Sequence, residues 1–184
     1  EKYEVKDFIK DDPIQFPHRF KEARDVEIAA FVSSLFAYGN RKVFIRKLEE
    51  LFKIMNNQPL EYVLNFNPKT LKGFNYRFAK DIDVIEVFNI LKKLYTQDND
   101  LKSLFEYGYK SDCSILTMFK TVTDYFYSNV KNDVGQGFYH LIPNPQNGGA
   151  MKRMCMFMRW MVRKGPVDLG LWGFIPTSEL LIPL

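Results

Sequence analysis

The chain has very little of the residues that build metal centres and covalent staples. Two cysteines, Cys113 and Cys155, and two histidines, His18 and His140, are all that 184 residues contain. Two thiols cannot make a disulfide framework or a four-ligand zinc site. No metal and no cofactor is therefore expected, and so thiol-poor a chain fits a reducing, cytoplasmic setting. No run of about 18 apolar residues occurs, which excludes a membrane-spanning helix. The first residues, Glu1 to Lys6, are charged and lack the apolar stretch of a secretory signal. Disorder is excluded by what is abundant: 46% hydrophobic residues, with 17 Phe and 10 Tyr.

The length points to one domain, or to two small ones in close contact, and the patterning is helical almost throughout. Residues 25–38 are nearly all apolar or small, which predicts a central helix capped by Asp25 and ended by Gly39. Phe44, Leu48, Leu51, Phe52 and Met55 form one helical stripe, closed before Pro59. Val84, Phe88, Leu91 and Tyr95 repeat the spacing after a cap at Asp81 or Asp83. Ile115, Phe119, Val122 and Phe126 repeat it again after Ser111-Asp112. Strand alternation is missing over any useful length, so the expected fold is all-α, a multi-helix bundle-like domain. Gly135, Gly137, Pro143, Pro145, Gly148 and Gly149 crowd the stretch 132–149. The domain would divide there into lobes of residues 1–131 and 132–184.

The small net charge of +4 is uneven. Residues 141–184 hold five basic and two acidic side chains, and the first 140 are nearly balanced. A local basic surface steers anionic partners even when the total charge is modest. Within this region a Pro- and Gly-rich loop, Leu141 to Gly149, opens onto a helix expected from about Ala150 to Val162. Unpaired amides and the positive helix end make such a junction a phosphate binder. At about 100° per residue, Lys152, Arg159 and Arg163 lie within about 20° of one line. Met154, Phe157, Met158 and Met161 take the opposite side. An ordinary amphipathic helix with a solvated outer face gives the same pattern. Lys152 sits in the first turn, where the helix dipole disfavours a positive charge and so favours a free, nucleophilic amine.

A second group, His18, Arg19, Asp25 and Glu27, offers acid, base and cation close together. Helix capping and loop hydrogen bonding use the same residue types.

Four strings carry a resemblance: Asp12-Pro13-Ile14-Gln15-Phe16-Pro17-His18-Arg19-Phe20, Asp25 to Phe31, Ala37-Tyr38-Gly39-Asn40-Arg41-Lys42, and Lys152 to Arg163 followed by Val167-Asp168-Leu169-Gly170-Leu171-Trp172. They resemble a bacterial domain-of-unknown-function family, DUF twenty-four hundred. That family in turn is similar to the helix-hairpin-helix DNA glycosylases. The resemblance implies a DNA-binding protein, with RNA as a second nucleic-acid partner, that extrudes and excises a damaged base. Lys152 would be the Schiff-base lysine of the members with lyase activity. Asn40 would fill the gap left by the extruded base, with Arg41 beside it. Asn144, Gly148 and Gly149 would form the hairpin, one residue longer before the lysine than the superfamily form. Arg153, Arg159 and Arg163 would contact the nucleic acid, and Tyr38, His18, Asp168 and Trp172 would line a pocket, although core packing is the favoured reading of Trp172. Asp168 follows Lys152 too closely to be the superfamily's assisting aspartate. Ile182-Pro183-Leu184 resembles the lead-in to that aspartate, which is expected beyond Leu184. A non-enzymatic nucleic-acid binder on the same fold, or a helical protein-interaction domain, are the alternatives.

Overall fold

The computed structural model describes residues 6–149 and 151–182. The fold is all-α. Among the described residues there is no strand, only isolated bridges joining Tyr76 to Ala79 and Lys164 to Leu169. The α-helices are α1 Ala23–Phe36, α2 Arg41–Ile54, α3 Pro59–Leu64, α4 Asp81–Thr96, α5 Leu101–Lys110, α6 Ile115–Ser128, α7 Gln136–Leu141 and α8 Lys152–Val162. None of them is long and apolar enough to cross a membrane.

The chain divides into two compact units, one of residues 1–51 and 150–184, the other of residues 52–149. This differs from lobes meeting at 131 and 132. The breaker-rich stretch stays with the second unit because α4 holds it by hydrogen bonds. Asp83 and Glu86, both fully buried, project from α4. Asp83 accepts from the Gly135 amide at 2.7 Å, and Glu86 accepts from the side-chain amide of Asn132. Amide bonds of this kind satisfy carboxylates that burial would otherwise destabilise.

In the first unit, α1 is apolar on every side, and Val26 through Phe36 are all buried. It packs against α8, with Phe31 meeting Phe157 edge-to-face at 5.4 Å. Its N-cap is Glu22 rather than Asp25, which lies in the first turn and there faces the positive end of the helix dipole. The helix ends at Phe36, and Gly39 makes the turn beyond it at a φ of 83°. That left-handed backbone is one glycine adopts without strain.

In the second unit, the stripes on α4 and α6 are buried as their spacing predicts. Lys80 is the N-cap of α4, and Asp83 supports it by accepting from the Lys80 amide at 2.9 Å. Ser114 caps α6, and Asp112 ties down the lead-in by accepting from the Ser114 amide. Gly108 lets α5 approach α6 closely, since a Cβ there would meet the Thr121 side chain at 2.9 Å.

Candidate functional site

The first unit gathers most of the charged residues singled out in the sequence, and α8 is its axis. α8 begins at Lys152, after Met151 in the left-handed region at a φ of 48°. Ala150, where the helix was expected to start, lies outside the described residues. Met154, Phe157, Met158 and Met161 are buried, so the apolar side of the helix is the core side. Lys152 and Arg159 are exposed and Arg163 is half-buried. No partner for the Lys152 ammonium occurs among the described residues. Beside these three cations lies a cavity of about 340 Å³, whose other walls are Cys155, Met156, Leu181 and Ile182. Burial pushes the Cys155 thiol up, so it lines the cavity as a neutral group.

Asp168 organises the arginines. Its carboxylate is buried, and its Oδ2 lies 3.4 Å from Arg159 Nε and 3.5 Å from Arg163 Nε. Its Oδ1 is buried with no hydrogen-bond partner among the described residues. The charge network continues to Asp12, whose carboxyl is raised above the ordinary aspartate value, chiefly by burial. The Ile14 amide, Arg41 and Arg159 pull it back down, and Asp168 pushes it up. Asp12 was not among the residues expected at a site. The signal for it is its position before Pro13, where it caps a 3-10 turn by accepting from the Ile14 amide at 3.0 Å.

The remaining residues go to other tasks. Arg153 turns away from the cavity: its guanidinium donates to the Leu35 carbonyl and lies 4.9 Å from the centre of the Tyr38 ring. Burial pulls its pKa down and Tyr38 opposes that shift. Trp172 is core, donating from Nε1 to Glu27 at 3.2 Å and meeting Phe157 edge-on at 5.2 Å. His18 donates from Nε2 to the Val167 carbonyl at 2.7 Å, which anchors the loop that carries Asp168. Of the N-terminal quartet, Arg19 pairs with Glu49, His18 with the Val167 carbonyl and Glu27 with Trp172. Asn40 is exposed and accepts from the Val43 amide at 3.3 Å, at the start of α2. Arg41 is the exposed first residue of that helix.

Asn144, Gly148 and Gly149 belong to the second unit. Asn144 caps the short 3-10 turn Pro145–Asn147 by accepting from the Gln146 amide at 2.9 Å. Gly148 follows at a φ of 71°, and both glycines are exposed. Among the described residues, no group of three or more His, Cys, Asp or Glu side chains is arranged to hold a metal ion.

No curated protein and no solved structure matches the chain. One family does match, over residues 12–184, a span that takes in α1 through α8 and the whole arginine–carboxylate network from Asp12 to Asp168. The chain belongs to that family, described as Protein of unknown function (DUF2400).

Proposed function

We propose that the chain is a DNA-binding, DNA glycosylase-like protein that excises a damaged base, on a fold related to the helix-hairpin-helix glycosylases. The observation that carries this reading is the cationic side of α8: Lys152, Arg159 and Arg163 line one cavity while the opposite side of the helix is core. Chain order supports the fold relationship, since α7, a Pro- and Gly-rich connection and α8 follow one another. In this reading Arg159 and Arg163 contact backbone phosphates. Once the Lys152 ammonium has given up a proton, its amine attacks the sugar C1′ as the base departs with the glycosidic electron pair; the attached nitrogen then sheds a proton and the C1′–O4′ bond opens, O4′ taking the electron pair and a proton, to leave a Schiff base. Extrusion of the base precedes this step because the stack shields its glycosidic bond.

Two measurements test the reading. Arg159→Ala and Arg163→Ala should each weaken duplex binding on every sequence and flatten the salt dependence by about one unit of slope. In the full-length protein, borohydride should trap a covalent adduct with DNA carrying an abasic or oxidised-purine site, and Lys152→Gln should abolish it. Salt-dependent binding without any adduct leaves a non-enzymatic nucleic-acid binder. Unchanged salt slopes in both arginine variants sink the DNA-contact assignment.

A further inference from the structure

We infer that the cavity beside α8 is a phosphomonoester site, taking a nucleoside monophosphate or the 5′-phosphate at a strand end; this rests on the nucleic-acid reading of α8. Three features of the cavity lead there: its charge, its uncommitted donors and its divided lining.

Lys152, Arg159 and Arg163 line the cavity with cations, and the Asp168 carboxylate lies behind the two arginines. More than one cationic group therefore faces the cavity. An internal phosphodiester carries one negative charge, whereas a phosphomonoester carries roughly 1.5 to 2 at neutral pH. The monoester is the better match.

The donors point the same way. Asp168 engages Arg159 through Nε, at 3.4 Å. The two Nη groups of Arg159 have no partner among the described residues, and neither does the Lys152 ammonium. A guanidinium held from its Nε side still presents a planar fork to phosphate oxygens. Because Asp168 is buried, that hold is shielded from solvent on the carboxylate side.

The remaining walls are apolar. Cys155, Met156, Leu181 and Ile182 give the bound anion a surface for an uncharged ring system rather than for a second phosphate. At about 340 Å³ the cavity is of the size of small-ligand pockets, which begin near roughly 300 Å³. It suits one nucleotide unit and not a length of strand.

Four titrations on the full chain test this: adenosine 5′-monophosphate against adenosine, and one single-stranded oligonucleotide with a 5′-phosphate against its 5′-hydroxyl twin. The phosphate should improve affinity by about tenfold or more, the scale of charge-assisted hydrogen bonds to two side chains. Lys152→Gln and Arg159→Gln, both at exposed positions, should each shrink that ratio. Lys110→Ala, an exposed cation on α5, should leave it unchanged. A phosphate preference in both pairs assigns the site to strand ends, and a preference in the mononucleotide pair alone assigns it to free nucleotides. No preference in either pair overturns the inference. If the two strands then still bind equally, with binding lost in Arg159→Gln, the α8 reading survives without it. Monophosphate binding with no strand binding keeps the inference and removes the nucleic-acid reading.

Discussion

Arg153 donates to the carbonyl of Leu35, so the first turn of α8 satisfies the C-terminal end of α1. The last four carbonyls of a helix have no partner within it, and buried ones must find a donor elsewhere. Leu35 lies in the last turn of α1 and is buried. Arg153 thus serves the fold, while Lys152 beside it in sequence faces the cavity. Arg153→Ala should destabilise the protein by about 2–3 kcal/mol, the cost of removing a charged donor from a buried acceptor. Arg153→Lys should recover only a fraction of this, since an ammonium lacks the planar contact with the Tyr38 ring. Denaturant unfolding of the variants checks both; a loss in Arg153→Ala below that of an ordinary surface substitution refutes the capping role.

Gly137 cannot carry a side chain. A Cβ there would lie 2.3 Å from Asp83 Oδ2 and 2.4 Å from the Phe78 carbonyl. Gly137→Ala should therefore cost at least about 2 kcal/mol, as overpacking of a filled interior does. Gly149→Ala is the matched control, because nothing lies within 4 Å of its Cβ position. Melting curves of the two variants should separate clearly.

Asp12 predicts a pH effect of definite sign. Its carboxyl is raised above the ordinary value, so the folded state holds the proton more tightly than the unfolded chain. The stabilisation from protonation is fully present below the unfolded aspartate value and is lost as pH rises through the folded one. Asp12→Asn keeps an acceptor for the Ile14 amide and removes the charge. The variant should gain on the wild type as pH rises through that window toward neutrality and lose this advantage in acid. Unfolding midpoints measured across the window decide it; a variant that loses ground toward neutral pH contradicts the assignment.

Trp172 and Glu27 form a buried polar contact between the C-terminal segment and α1. Trp172→Phe keeps an aromatic ring beside Phe157 and removes the indole donor. It should cost about 1–3 kcal/mol, the scale of losing one hydrogen bond to a buried charged acceptor. Adding Glu27→Leu should make the double variant less destabilised than the two single losses combined. Strict additivity in the double-mutant cycle would show that the two side chains are not energetically coupled.

The helices and the two-sided character of α8 were determined by the sequence itself. A helix turns by a constant angle per residue, so the spacing of Lys152, Arg159 and Arg163 alone sets them on one line and the methionines opposite. The buried stripes of α2, α4 and α6 were legible for the same local reason. Tertiary structure decided where the charged groups end. Arg153 and Lys152 are neighbours in the chain, yet only the packing of α1 against α8 sends one to a carbonyl and leaves the other at a cavity. The role of Asp168 depends on a loop fold that returns it to its own helix, with His18 anchoring that loop from 149 residues away. Residues 132–149 read as a boundary, but Asp83 and Glu86 bind Gly135 and Asn132 to α4. Periodicity is a property of one segment, whereas a hydrogen bond or an ion pair between distant segments exists only once packing has brought their partners within reach.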